Sequence, residues 1–330
     1  MYIDRLTSTL VSMTLVLSSL LLFRADTAVT RERLLAVYLG RISTNEDPGF
    51  AAISQASIHL PAQVRERFEL RWLTALLPDR NERVKEAIDE ALAMQPQVII
   101  APNPLVAYML RQRQLRVPVI FSTFLNPVKR EVVTSIQQRD EPFTGVWIAD
   151  DMDSKRLEIL HDAYPAVKTV AVLMDRDWGE DTDAAEKLPA LGRRLGLDVS
   201  LFYAEELVEA EEVLARPEAA RFDAWCLPPT GLTNLYSAEI LARIKAWGKP
   251  VIVGETRDVQ AGAPLSYMVE ESFRWTAMTD LMGRVLQGEP AGSIPIQRPV
   301  QSVLAVRPTP AAGFPAPSAQ VVRRADLVLR

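Results

Sequence analysis

Asparagine–proline pairs occur twice in this sequence, at Asn103-Pro104 and Asn126-Pro127, each shortly after a short apolar run. Asparagine is favoured just before a helix and proline at the first helical position, so both pairs predict helix starts. The free amides and the dipole at a helix start can hold a carboxylate. The alternative is that each asparagine only caps its helix.

Acidic and aromatic side chains in other expected loops offer complementary chemistry. Asp175 or Glu255 could meet an ammonium group, and Trp178 could stack on an aromatic or apolar ligand. The alternatives are that both acids are solvated loop residues and that Trp178 packs on the protein surface.

Cysteine and histidine are scarce, which limits catalytic and metal chemistry. Cys226 is the single cysteine, and His59 and His161 are the two histidines, so we expect no internal disulfide, metal site or cofactor. No nucleophile-elbow, phosphate-loop or His-Glu-x-x-His motif occurs, and we therefore predict a protein that is not an enzyme. A paired-carboxylate hydrolase stays open, because no spacing among the 42 acidic residues decides the matter. The net charge of −5 and the absence of a basic run argue against nucleic acid as a partner.

Short apolar runs alternate with amphipathic stretches along the chain. Runs of this length, rich in valine and isoleucine, are typical of strands that are buried on both faces of a parallel sheet. The runs are 34–39, 98–101, 117–121, 170–174, 224–227 and 251–253. Cys226 lies in one of them and is expected to be a buried, small apolar residue. The alternation predicts an α/β fold with two lobes, because so many elements exceed one compact sheet.

Ligands of open α/β sheets bind beyond the carboxyl ends of the strands, which selects the residues after each run as candidates. The candidate ligand-binding residues are Asn103, Thr123, Asn126, Thr144, Asp175, Trp178, Thr230, Glu255 and Tyr267, with Arg41 and Asn45 after the first run.

Three segments are candidate crossings between the lobes: 144–148, and the proline-bearing segments 264–267 and 293–299, which are expected to be irregular. They predict one lobe from residues 29–146 plus 268–293 and another from 147–267 plus 294–330. A multi-strand hinge between such lobes would suit closure about a ligand. The alternative is that these segments are ordinary surface loops.

The amino terminus carries an almost wholly apolar stretch over residues 6–23. This pattern predicts that residues 1–28 form a signal peptide or a membrane anchor, and that the protein is exported to the periplasm or an equivalent extracytoplasmic space.

Several motifs in order resemble the substrate-binding proteins of ABC transporters with the type I periplasmic fold, in the branch that includes tryptophan and tyrosine binders. The segments that carry the resemblance are Pro118-Val119-Ile120-Phe121 with Asn126-Pro127-Val128, Thr144-Gly145-Val146 with 155–160, 261–267, 285–290 with Ile294-Pro295-Ile296, and Ala325-Asp326-Leu327-Val328, which matches the last helix of that family.

The resemblance implies two Rossmann-like lobes joined by a multi-strand hinge, a small solute such as an amino acid or related apolar metabolite in the cleft, and an ABC permease at the membrane as partner. Three positions depart from the family pattern: Asn126 stands where aspartate is usual, Met268 stands where glycine is usual, and the loop 228–231 lacks the usual Asp-Asn. A sensory module that reports to a membrane signalling protein is the alternative function.

Overall fold

The computed structural model describes residues 33–40, 47–74, 80–148, 152–269, 271–298 and 301–330. The predicted signal peptide or anchor at 1–28 and the candidates Arg41 and Asn45 lie outside the described residues. Within these ranges, none of the helices combines the length and the apolar character that a membrane crossing requires.

Five parallel strands form the sheet of the first lobe. They are β1 (Leu34–Gly40), β2 (Phe68–Thr74), β3 (Val98–Ala101), β4 (Val119–Thr123) and β5 (Phe143–Trp147), in the order β2-β1-β3-β4-β5. All neighbouring pairs are parallel. Parallel pairing requires crossover connections, and the helices between the strands supply them.

Seven strands form the sheet of the second lobe. They are β6 (Thr169–Met174), β7 (Asp198–Tyr203), β8 (Ala224–Leu227), β9 (Val251–Val253), β10 (Leu265–Val269), β11 (Ser302–Val306) and β12 (Leu327–Val328), in the order β12-β11-β10-β9-β8-β6-β7. Only the β10–β11 pair is antiparallel among these described strands.

The helices cover both faces of the two sheets. They are α1 (Pro48–Ala56), α2 (Ala62–Arg65), α3 (Arg80–Ala93), α4 (Pro104–Arg111), α5 (Met152–Ala163), α6 (Arg176–Asp181), α7 (Ala184–Leu195), α8 (Leu207–Ala215), α9 (Gly231–Ala246), α10 (Thr256–Gln260), α11 (Glu271–Leu286) and α12 (Ala319–Arg324), with 3₁₀ turns at Ser57–His59, Ala219–Arg221 and Ala291–Ser293.

The predicted two-lobed α/β fold with parallel sheets is confirmed: five of the six apolar runs lie within a strand, and the run 117–121 overlaps β4, which begins at Val119. Both faces of the central strands are buried, as in β1, where Ala36 and Tyr38 pack on one side and Val37 and Leu39 on the other. Cys226 is buried in β8, as expected, and burial raises the pKa of its thiol.

Two local predictions were wrong. The segment 325–328 was expected in the last helix, but α12 ends at Arg324 and the chain continues in extended conformation. Its residues Leu327 and Val328 form β12, which pairs with β11 so that Leu327 lies opposite Ala305. The Asp326 carboxylate stabilises this pairing by accepting the Leu304 N–H at 2.8 Å. The segment 264–267, expected to be irregular, begins β10, because pairing with β9 on one side and β11 on the other orders it.

The chain passes between the two sheets after β5, after β10 and before β11. After β10, helix α11 packs on α1 and on β3, β4 and β5 of the first sheet. Gln297 then bridges Val146 of β5, before β11 returns to the second sheet. The lobe limits given above stay a prediction.

Candidate functional site

A cavity of about 310 Å³ lies between the two lobes, beyond the carboxyl ends of β4 and β5. Its volume is at the lower end of the range for small-ligand sites. The first lobe contributes Phe124, Asn126 and Trp147, and the second lobe contributes the other lining residues. The lining residues are Phe124, Asn126, Trp147, Asp153, Asp181, Thr182, Asp183, Ala184, Lys187 and Leu188. A solute in this cavity would touch both lobes at once.

Two aromatic rings form much of the apolar wall. Phe124 follows β4, and its ring lies 6.0 Å from the ring of Trp178, which is 2% exposed and belongs to the second lobe. Trp147 ends β5, and the guanidinium carbon of Arg298 lies 4.6 Å from its ring centroid. An apolar or aromatic solute would find stacking surface on these rings.

A buried charge pair supports the cavity from the second lobe. Asp153, in the first turn of α5, accepts a hydrogen bond from Arg156 through Oδ1 and one from Trp178 Nε1 through Oδ2 at 2.6 Å. The Arg156 side chain is fully buried, and its Nε donates to the Tyr267 carbonyl at 3.0 Å. The pair therefore ties α5 to α6 and to β10, and it fixes the indole that packs against Phe124.

A turn of the first lobe is bonded directly to α6 of the second. The Asn126 N–H donates to Asp181 Oδ2 at 2.7 Å, and Arg130 Nε donates to Asp181 Oδ1 at 2.8 Å. Lys129 Nζ donates to the Glu180 carbonyl at 2.7 Å. The two lobes are thus in contact at the rim of the cavity.

The first-lobe candidates are mostly engaged with the backbone. Asn103 caps α4 by accepting the Leu105 N–H at 2.9 Å, as predicted. Asn126 caps in the same way, accepting the N–H groups of Val128 and Lys129, but residues 127–131 form only a turn. The expected helix start at Asn126 was therefore wrong, because Glu131 takes a left-handed conformation, with a φ of 55°, that does not continue a helix. Asn126 lines the cavity.

The two threonine candidates of the first lobe are buried. Thr123 Oγ1 both donates to the Leu125 carbonyl and accepts the Leu125 N–H. Thr144 Oγ1 donates to the Ile294 carbonyl at 3.1 Å. These bonds shape the end of β4 and hold the segment after α11 against β5.

The second-lobe candidates mainly organise helix starts. Asp175 caps α6 and also accepts the Gly231 N–H at 2.8 Å, while burial raises the pKa of its carboxyl group. Thr230 is buried and caps α9 in a reciprocal arrangement with Thr233. Glu255 precedes α10 without capping it through its side chain.

The remaining two candidates are not among the lining residues. Trp178 contacts both Phe124 and Asp153, and Tyr267 on β10 is half-buried. Of the nine candidates, Asn126 lines the cavity and Trp178 packs against the lining residue Phe124, while the other seven are not among the lining residues. Ligand binding by any of the nine residues stays a prediction.

Sequence reasoning missed most of the cavity wall. Asp153, Asp181 and Lys187 lie on or beside helices, whereas the search covered loops that follow strands. Phe124 was adjacent to the candidate Thr123, so its position after β4 was the signal that could have identified it. In the described part of the chain, no group of His, Cys, Asp or Glu side chains is placed to hold a metal ion.

Two parallel-sheet α/β lobes with a solute-sized cavity between them define the class of type I periplasmic binding proteins. Within that class, the family model described as ABC transporter substrate binding protein matches residues 79–312. The chain belongs to this family. The description of the family is that of a binding protein and not of an enzyme. Among curated proteins, no relative matches the chain.

Solved structures share the fold at low sequence identity. A conserved domain protein from Vibrio cholerae has a TM-score of 0.75 at 17% identity, covering 91% of this chain and 100% of that one. An ABC domain from Streptococcus pneumoniae in complex with L-Trp has a TM-score of 0.75 at 17% identity, with 90% and 100% covered. A ligand-free, open substrate-binding protein with adhesive properties from Clostridium difficile has a TM-score of 0.62 at 15% identity, with 91% and 99% covered.

Proposed function

We propose that this protein binds a small solute in the interlobe cavity outside the cytoplasm and delivers it to an ABC-type permease, without catalysing a reaction. The observation that carries the proposal is a cavity lined from both lobes in a member of the substrate-binding family. Closure of two lobes about a solute converts occupancy into a shape that a permease can recognise.

The proposed solute is an amino acid or a related metabolite with an apolar or aromatic part. Phe124 and Trp147 offer surface for the apolar part. Lys187 and Asp183 form an ion pair at 3.5 Å in which both side chains are about half exposed. Such an exposed pair is weak, so the carboxylate of a zwitterionic solute can replace Asp183 beside Lys187, and its ammonium group can replace Lys187 beside Asp183. The fold relative that holds L-Trp supports this solute class.

Thermal melting of the purified full-length protein with a panel of L-amino acids tests the proposal. A solute at about a hundred times its dissociation constant should stabilise the protein by about 2.7 kcal/mol, which gives a clear rise in melting temperature. We expect the rise with L-tryptophan, and titration calorimetry then measures the affinity.

A pair of matched lysine variants shows whether the cavity is the site. Lys187→Met should reduce the rise in melting temperature, whereas Lys155→Met, which removes a similar surface pair with Glu158 outside the cavity lining, should not. No rise with any amino acid would contradict the solute class.

The importer role has a separate test in the neighbouring genes. Adjacent genes for a permease and an ATPase would support that role, and an adjacent histidine kinase without a permease would contradict it.

A further inference from the structure

Arg130, in a turn of the first lobe, makes three hydrogen bonds to α6 of the second lobe. Arg130 donates through Nε to Asp181 Oδ1 at 2.8 Å, through Nη1 to Asp177 Oδ1 at 2.9 Å and through Nη2 to the Asp177 carbonyl at 2.7 Å. We call these bonds, with those from Asn126 to Asp181 and from Lys129 to Glu180, the interlobe latch. All five hydrogen bonds break if the lobes separate.

The latch is stronger than an ordinary surface ion pair. The Asp181 side chain is 3% exposed and the Arg130 side chain 27%, so water screens the pair only in part. Burial lowers the pKa of Arg130, but the Asp181 and Asp177 carboxylates outweigh this and raise it. The planar guanidinium presents its donors in a fixed fork, which here reaches three acceptors on two residues, whereas the compact ammonium group of lysine has no such fork.

The latch contacts the cavity without filling it. Asn126 and Asp181 line the cavity, whereas Arg130 and Asp177 lie outside its lining. A contact that exists only when the lobes are together raises the population of the closed state, and apparent affinity follows that population.

We propose that Arg130 is a positioning residue that holds the two lobes closed and thereby sets the affinity for solute without touching it. Only the affinity readout rests on the proposed function, because closure itself is measurable in the absence of solute.

Small-angle X-ray scattering of the full-length protein without solute tests the closure. Arg130→Met should have a larger radius of gyration than the wild type, because the closed state loses three of its bonds. Arg324→Met is the matched control, since it removes an exposed ion pair with Asp162 inside the second lobe, and it should scatter like the wild type. Equal radii for Arg130→Met and the wild type would overturn the proposal.

Titration with L-tryptophan supplies the second readout. We expect Arg130→Met to weaken binding at least about tenfold, Arg130→Lys to weaken it less, and Arg324→Met to leave it unchanged. Wild-type affinity in Arg130→Met would also overturn the proposal. If Arg130→Met does not fold, Arg130→Lys carries both comparisons. If L-tryptophan binds neither the wild type nor any variant, the proposed solute class is wrong. The scattering comparison alone then tests whether Arg130 holds the lobes closed.

Discussion

Replacing Asp153 with alanine is expected to lower the free energy of unfolding by about 3–5 kcal/mol, because it leaves a buried guanidinium without its carboxylate. Arg156 is fully buried, and Trp178 Nε1 loses its acceptor as well. Urea unfolding followed by circular dichroism measures the change.

The double variant Asp153→Ala/Arg156→Met separates charge burial from packing. Replacing both members of a buried ion pair with apolar groups is often neutral, so the double variant should recover most of the stability that Asp153→Ala loses. If the double variant were as unstable as the single one, the loss would come from packing around Trp178 and not from the unpaired charge.

Replacing Gly145 with alanine is expected to cost about 3 kcal/mol or more, at the upper end of what overpacking of a core costs. A Cβ atom at this position would lie 2.1 Å from the Phe121 carbonyl oxygen, and Phe121 is the register partner of Gly145 in the β4–β5 pair. A backbone atom cannot move aside as the end of a side chain can. Differential scanning calorimetry of the variant should show a markedly lower melting temperature.

Gly283→Ala is the matched control for Gly145→Ala. Gly283 lies inside α11, and its added Cβ would meet only a methyl group of Leu60 at 3.1 Å. Alanine is favoured over glycine by about 0.5–1 kcal/mol in a helix interior, which offsets a small shift of Leu60. Stability of Gly283→Ala within about 1 kcal/mol of the wild type is therefore expected. Equal losses in both variants would show that close backbone approach is not the cause.

The two large effects concern the parts that bring the lobes together. Gly145 allows β5 to pair closely with β4, so that Phe124, just after β4, and Trp147, at the end of β5, both line the cavity. Asp153 holds Trp178 against Phe124 from the other lobe. The interlobe latch adds direct bonds at the rim of the cavity.

The strands that were predicted from the sequence are those buried on both faces. Val98–Ala101 and Ala224–Leu227 carry no residue that prefers water, and their observed limits equal the predicted ones. The edge strands β2 and β7 were not predicted, because they are mostly only half-buried and carry Glu69, Arg71 and Asp198 among apolar residues. Their extended conformation depends on pairing with β1 and β6, which no local pattern reveals.

The sequence by itself determined the two-lobed α/β fold, the helix cap at Asn103 and the burial of Cys226, because these follow from local runs of apolar residues and from local hydrogen bonds. Only the tertiary structure decided which distant polar groups meet, between the lobes and within them. Asn126 and Asp181 are 55 residues apart in the chain, and Asp153 and Trp178 are 25 apart. The first pair joins the two lobes and the second joins two helices of the second lobe, so their partners are set by the packing of distant elements and not by any one segment of the chain.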